Sequence, residues 1–420
     1  MKLLTVDTID AAREKILARA RSWPLRTETI QLESLDEEIP NRVPARVLAR
    51  VLAKDVCASG DIPGFRRSTV DGYAVVAADT AGAGEAIPVF LKLAGSVSMG
   101  KPADLSIQRG ECAYVPTGGM LPDGADAVVM VEYTEASGGS IAVYEAAAPG
   151  AGTAEAGEDL RKGEPFLRRG TLLRPQEAGA LAAAGITRLE LFAPLSLTLI
   201  STGDELVPPE QEPRPGEIRD INTRALRALA IKRGYHVVSA CVLPDDESRI
   251  EKALTDAMAL SDVVVISGGS SQGEKDLTAR IMDRAARPGV FTHGLAIKPG
   301  KPTILGWDEE SKTLLAGLPG HPVSAMMVFE LLLGWLAHRL FERPLPFPIP
   351  ARISCNVPGS PGRTLCQPVI LRLGDGGYSA EPVFGKSGMI TTLTRADGYI
   401  IIDLNREGLK KDEPVLVHLF

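Results

Sequence analysis

Three carboxylates in this chain are spaced as if to meet at one edge of a sheet. Glu205, Asp245 and Asp276 each follow a different short apolar run. Negative side chains that converge repel one another and so require a cation, and Mg²⁺ accepts one or two carboxylates together with phosphate oxygens. We interpret all three as candidate catalytic and metal-binding residues. The alternatives are helix N-caps for Asp245 and Asp276 and a polar turn for Glu205.

The segment "SGGSSQGEKD", residues 267–276, has the composition of an anion-binding loop. Its glycines permit backbone conformations in which N–H groups approach an anion, and a helix that follows would add its positive end. It is not a Walker loop, because no Gly-Lys-Ser/Thr follows, and a simple turn between strand and helix is the alternative. The candidate ligand-binding residues are Ser267, Gly268, Gly269, Ser270, Ser271 and Gly273.

Two rigid loops follow further along the chain. In "IKPGKP" the charges of Lys298 and Lys301 flank a Pro-Gly turn, which suits phosphate or another oxyanion; two solvated lysines are the alternative. In "GLPGHP" Pro319 and Pro322 stiffen the chain, and Pro322 falls where the first residue of a helix is expected. His321 lies between them, and a single histidine is more often a polar neighbour than a metal ligand.

The alternation of strands and helices from about 187 to 340 would position these residues. Such alternation predicts βαβ units and a mostly parallel sheet, and ligands bind outside the carboxyl ends of its strands. Val263–Ile266 is apolar on both faces, as in a central parallel strand. The sequence therefore predicts a multidomain α/β plus β protein, with short strands at 57–160 and a small β-barrel or sandwich at 345–420.

Composition narrows the function classes. A chain of 420 residues predicts two to four domains, and a net charge of −7 with interspersed lysines and arginines argues against nucleic acid. Five scattered cysteines without a CxxC pair indicate neither zinc nor a disulfide framework, which favours a reducing cytoplasm. The longest apolar helix, near 323–340, carries charged residues, so we expect a core helix and no membrane span.

Seven motifs in order resemble the molybdopterin molybdenumtransferase family, the MoeA proteins and the E domain of gephyrin. They are "RSTVDGYAV", "PTGGMLPDGADAVVMVE", "STGDEL", "GEIRDINT", "SGGSSQGEKD", "AIKPGKP" and "GLPGHPVSA". The resemblance implies a MogA-like molybdopterin-binding α/β domain at 187–341. It also implies a helical and linker domain at 1–56 with 159–186, an inserted β-rich domain at 57–158 and a β-barrel at 342–420.

The resemblance further implies a transferase that inserts molybdate into adenylylated molybdopterin with Mg²⁺ and releases AMP. A homodimer is implied, in which Asp71 and Thr117 come from the partner subunit. The acids would have metal and nucleotide roles, the two lysines would hold oxyanions, and Pro319 and Pro322 would shape the pocket. Molybdopterin adenylyltransferase and molybdoenzyme chaperones are the expected transfer partners.

Departures from the commonest family sequence fall in the ligand-binding loops, at Ser270, Gln272, Gly294 and His321. They leave the choice between molybdate and tungstate open. Two other functions are considered. A molybdopterin adenylyltransferase shares the α/β domain but lacks the "DGYAV" and C-terminal modules, and a gephyrin-like scaffold would bind without catalysis.

Overall fold

The computed structural model describes residues 6–31, 50–268 and 275–420, without the side chains of residues 275 and 276. Contacts divide the chain into two compact units. The first unit comprises residues 1–28, 49–53 and 191–420, and the second comprises 29–48 and 54–190. The finer boundaries at 56, 158, 186 and 341 stay a prediction.

A six-stranded sheet forms the centre of the first unit. Its strands, in spatial order, are His236–Leu243, Ser196–Thr202, Val263–Gly268, Thr313–Leu318, Ile304–Asp308 and Pro288–His293. The first four are parallel and the last two antiparallel, so the mostly parallel α/β sheet is confirmed. Thr202 pairs in register with both Leu243 and Gly268, which brings the carboxyl ends of three strands to one edge.

Amphipathic helices cover this sheet. They are Asn222–Lys232, Glu247–Met258 and Lys275–Ala285. Ile250, Leu254 and Ile281 pack against Ile266 and Leu315 in one buried cluster. Apolar side chains at helical spacing therefore meet a strand that is buried on both faces, and each such side chain contributes roughly 1.5–3 kcal/mol.

The apolar segment near 323–340 is helical in three parts. They are the α-helix Pro322–Phe329, the π-helical turn Glu330–Gly334 and the α-helix Trp335–Leu340. Among the described residues this one helix is long and apolar enough to cross a membrane by length and composition, and 72% of its window is buried inside the molecule. Pro322 is the first helical residue, as predicted.

The N-terminal helix Ile9–Ala20 packs against the π-helical turn. Thr8, and not Asp7, caps this helix, because the Thr8 hydroxyl accepts the backbone N–H of Ala11. The Asp7 carboxylate instead accepts hydrogen bonds from Lys15 and Thr292, at 2.6 Å each.

A closed β-barrel ends the chain, as predicted. Its five strands pair in a ring: Thr364–Gly374, Gly377–Pro382, Ile349–Ile353, Pro414–Leu419 and Gly398–Ile402. The two-residue strand Ile297–Lys298 adds to Thr364–Gly374 in parallel, which joins the lysine loop to the barrel. Smaller elements are Leu206–Val207, Ile218–Arg219, Val357–Pro358, Gly408–Leu409 and the helical turn Thr391–Thr394.

The second unit is β-rich, as the sequence predicts. Its main sheet has the order Ala127–Met130, Gly72–Val75, Glu111–Val115, Val89–Ser96, Ser140–Val143 and Thr134–Ser137. Short strands and helices complete it: Val56–Cys57, Arg67–Ser68, Thr153–Ala154, Pro165–Leu167, Ala77–Thr80, Val131–Tyr133 and Pro175–Ala183. Strands Thr27–Gln31 and Arg188–Phe192 span the boundaries between the units in sequence.

Candidate functional site

A cavity of about 380 Å³ lies at the carboxyl ends of the parallel strands, and we call it the acidic cavity. The predicted residues Glu205, Ser267, Gly268 and Pro322 all line it. Its other polar walls include Asp220, Asn222 and His321. Arg219 lines it too, but the guanidinium donates to the carbonyls of Pro209 and Gln211 and to the Glu212 carboxylate, at 2.8–3.2 Å.

Two of the predicted acids occupy different surroundings. Glu205 is exposed and lines the acidic cavity, whereas Asp245 is half-buried and is absent from the described lining. Asp245 instead faces Asp204: each backbone N–H donates to the other's carboxylate, at 3.1 and 3.4 Å. The cap of the following helix is not Asp245 but its neighbour Asp246, whose carboxylate accepts the backbone N–H of Arg249 at 2.9 Å. Hydrogen bonds from Ser248 and Arg249 lower the pKa of Asp246.

The third predicted acid, Asp276, lies in the first turn of the helix Lys275–Ala285, and its side chain is outside the described residues. Within the described part of the chain, no group of three or more His, Cys, Asp or Glu side chains is arranged to hold a metal. The exposed Glu205 carboxylate and the buried Asp220 carboxylate, which both line this edge, are nevertheless oxygen donors of the kind that Mg²⁺ prefers. The residues present therefore fit Mg²⁺ chemically.

Buried hydrogen bonds hold the walls of the acidic cavity together. The Asn222 amide nitrogen donates to the Ser267 hydroxyl and to the Gly320 carbonyl, at 2.8 Å each. The Thr223 hydroxyl donates to the Ser201 hydroxyl at 2.7 Å. Asn222 therefore ties the end of the central strand to the turn that precedes Pro322. The motif "GEIRDINT" contained Asn222, but its spacing gave no reason to single that residue out.

A glycine is required where the central strand ends. Gly268 has φ +149°, and a Cβ there would lie 2.1 Å from the Thr202 carbonyl oxygen. The close approach of these two strand ends thus excludes any side chain. The remaining predicted loop residues, Gly269, Ser270, Ser271 and Gly273, lie outside the described residues.

A second cavity, of about 700 Å³, lies between the lysine loop and the barrel, and we call it the basic cavity. It contains three predicted residues, Lys298, Lys301 and Pro319. The barrel adds Arg363 and Lys386, which the sequence analysis missed. Its described lining includes no carboxylate. Four cationic residues line this one cavity, a composition that suits the binding of an anion.

Backbone geometry fixes the lysine loop. Lys298 pairs with Leu365 of the barrel, and Gly300 has φ +117°. A Cβ at Gly300 would lie 2.4 Å from Val328 of the core helix. The loop is therefore held between the core helix and the barrel, and this arrangement directs both lysines into one cavity.

Cys366 lines the basic cavity, but its thiol is not activated as a nucleophile. Burial raises the pKa of the Cys366 thiol to about 12, although the Arg13 guanidinium opposes the shift. A protonated thiol is a weak nucleophile. Cys366 is therefore poorly suited to act as a nucleophile in this cavity.

The remaining predicted residues lie together in the second unit. The Asp71 carboxylate accepts the backbone N–H of Thr117 at 2.7 Å and its hydroxyl at 3.1 Å. Both residues are exposed. Gly72 follows, and a Cβ there would lie 2.2 Å from the Val129 carbonyl oxygen. Tight strand pairing thus presents Asp71 and Thr117 as one surface pair.

Comparisons with known proteins agree with this architecture. Residues 8–185 match the family model "MoeA N-terminal region (domain I and II)". Residues 198–338 match "Probable molybdopterin binding domain", and residues 350–420 match "MoeA C-terminal region (domain IV)". Fold and matches together define a transferase of molybdenum cofactor biosynthesis.

Proteins that are similar over most of the length of this chain identify its family. A molybdopterin molybdenumtransferase from Haemophilus influenzae is 30% identical over 421 residues, 98% of each chain. A putative molybdopterin biosynthesis protein from Methanocaldococcus jannaschii is 32% identical, over 87% of this chain and 88% of the other. A solved MoeA structure from Pyrococcus horikoshii OT3 has a TM-score of 0.84 at 30% identity, covering 99% of this chain and all of the other. The chain belongs to the MoeA family, which confirms the resemblance found in its motifs.

Proposed function

We propose that this transferase inserts molybdate into adenylylated molybdopterin, in a reaction that requires Mg²⁺ and releases AMP. The observation that supports the proposal most is the pair of oppositely charged cavities with a common wall at His321. A substrate with a phosphoanhydride and a separate oxyanion presents anions to both. The basic cavity would bind an anion through its lysine and arginine side chains. The acidic cavity has carboxylates, which would bind phosphate through a metal ion.

The basic cavity would bind the oxyanion and a substrate phosphate. Lys298 and Lys301 contribute mobile point charges, while Arg363 can donate two parallel hydrogen bonds. Hydrogen bonds to charged groups contribute about 1.5–3 kcal/mol each. The lysines therefore account for affinity, and Pro319 shapes the wall beside them.

The acidic cavity would hold Mg²⁺ through acids among Glu205, Asp245 and Asp276. When bound, the ion supplies charge neutralisation at phosphate oxygens. Ser267 and Gly268 stand at this edge and can orient a phosphate through hydroxyl and backbone donors. Pro322 forms the opposite wall.

Cleavage of the phosphoanhydride would proceed by attack of an oxygen nucleophile at phosphorus, with AMP as the leaving group. Positioning and electrostatics would provide the catalysis. Asp71 and Thr117 would complete the site from the second subunit of a homodimer. We further propose a cytoplasmic enzyme that exchanges its substrate and product with molybdopterin adenylyltransferase and molybdoenzyme chaperones.

The test is incubation of the purified chain with adenylylated molybdopterin, Mg²⁺ and either molybdate or tungstate. We expect AMP release that depends on both the cation and the oxyanion, and the relative rates give the oxyanion preference. Asp276→Ala should abolish release and leave the protein folded. A scaffold would release no AMP. An adenylyltransferase would instead form adenylylated molybdopterin from ATP and molybdopterin.

A further inference from the structure

His321 forms part of the wall of both cavities, and no role in the proposed reaction has been assigned to it. It lies between Gly320 and Pro322 and is exposed. It occupies the N-cap position of the helix Pro322–Phe329, but its side chain makes no capping hydrogen bond. The imidazole ring of His321 therefore makes no hydrogen bond to the first turn of this helix.

A turn that follows the barrel strand Gly377–Pro382 orients the ring. His321 Nδ1 lies 2.8 Å from the Ser387 hydroxyl, and the Ser387 carbonyl accepts the backbone N–H of Val323 at 3.1 Å. Ser387 lines the basic cavity, while its neighbour Gly388 lines the acidic cavity. Two hydrogen bonds between the same short segments fix the position of the ring between the cavities.

The opposite edge of the ring borders Gly388. A Cβ at Gly388 would lie 3.7 Å from His321 Cδ2 and 4.0 Å from Nε2. Since Gly388 lines the acidic cavity, this edge of the ring lies beside a residue of that cavity. If the Ser387 hydroxyl donates to Nδ1, the neutral ring carries its proton on Nε2 and becomes a donor at that edge.

We propose that Nε2–H of His321 donates a hydrogen bond to a phosphate oxygen of a pyrophosphate group lying across the junction of the two cavities, and that Ser387 fixes the required tautomer. The inference rests on the proposed function, because it assumes a phosphoanhydride ligand. His321 is then a substrate-contacting residue. Ser387 is a positioning residue that acts through the ring.

The experiment measures binding of inorganic pyrophosphate to the full chain by calorimetry in the presence of Mg²⁺, without turnover. His321→Ala should raise the Kd about tenfold or more, the usual effect of losing one hydrogen bond to a charged group. Ser387→Ala should raise it by a smaller factor. His321→Gln, which restores an N–H donor, should recover part of the affinity. His236→Ala is the matched control, since His236 is exposed on the edge strand and lines neither cavity.

Unchanged pyrophosphate affinity in both His321→Ala and Ser387→Ala overturns the inference, as does a wild-type chain that binds no pyrophosphate. A lowered melting temperature with unchanged affinity also overturns it, because that result assigns the ring a structural role. If the variants lose pyrophosphate affinity but the wild type releases no AMP from adenylylated molybdopterin, the proposed function fails while the contact from His321 stands.

Discussion

The two cavities differ both in charge and in the way the chain builds them. The acidic cavity is formed at strand ends of one sheet, where Glu205 and Asp220 meet buried Asn222. The basic cavity is shared between that α/β module and the barrel, which supplies Arg363 and Lys386. The hydrogen bonds that preorganise the acidic cavity lie within the α/β module, although Gly388 of the C-terminal segment also lines this cavity. The basic cavity depends on strand pairing between the lysine loop and the barrel.

This difference suggests a division of labour. Carboxylates alone repel a polyanionic substrate, so the acidic cavity is useful only with a cation, where it can stabilise charge that develops during cleavage. In the proposed function, the basic cavity would attract anions without a metal ion and would serve binding. Variants should therefore separate turnover from affinity, and the predictions run from the largest expected effect to the smallest.

Among the variants that compare the two cavities, Glu205→Gln should have the largest effect, a fall in the rate of AMP release of about 100-fold or more, the scale seen when one electrostatic contact to a transition state is removed. The change keeps size and removes charge at an exposed position, so stability should change by less than about 0.5 kcal/mol. Single-turnover AMP release and denaturant unfolding check both parts. Glu210→Gln, also exposed and outside both cavities, is the control and should retain normal release.

Lys298→Ala combined with Lys301→Ala should weaken molybdate binding by about 10- to 100-fold, because at least one charge-assisted hydrogen bond is lost. Equilibrium titration with molybdate measures the effect. Lys232→Ala, on a helix away from the cavity, should bind molybdate like the wild type. Equal affinity of the double variant and the wild type would remove the lysines from the anion site.

Asn222→Ala tests the preorganised frame of the acidic cavity. The Ser267 hydroxyl and the Gly320 carbonyl would lose their donor in a buried site, so the free energy of unfolding should fall by about 1–3 kcal/mol. Urea unfolding checks this, with the exposed Arg227→Ala on the same helix as control. An unchanged urea unfolding midpoint would show that the two Asn222 hydrogen bonds do not stabilise the strand ends.

Lys386→Ala should give the smallest effect, a two- to fivefold loss of molybdate affinity, because an exposed charge contributes about 0.2–1 kcal/mol. The measurement shows whether the barrel takes part in anion binding. Arg406→Ala, elsewhere in the C-terminal segment, supplies the comparison. If Arg406→Ala and Lys386→Ala weaken binding equally, the effect is one of net charge rather than of the cavity.

The sequence predicted the residues of the acidic cavity at the sheet edge better than it predicted the residues that the barrel adds to the basic cavity. Strand periodicity predicted the α/β sheet, and the rule for parallel strands then placed Glu205 and Ser267 correctly at one edge. The rule could not show that Asp245 faces Asp204, because a side chain's direction after a strand depends on local turns. Nor could it reveal Arg363, since its approach to the lysine loop depends on non-local strand pairing.

The most direct test of whether one cavity serves turnover and the other serves affinity uses two variants, Glu205→Gln and the double variant Lys298→Ala with Lys301→Ala. AMP release by each variant is followed as molybdate is raised to saturation. Excess oxyanion should restore most of the rate to the double lysine variant, since only its affinity is impaired. Glu205→Gln should stay about 100-fold or more below the wild-type rate at every molybdate concentration. Rescue of Glu205→Gln by molybdate, or a lysine variant that remains inactive at saturation, would contradict the account.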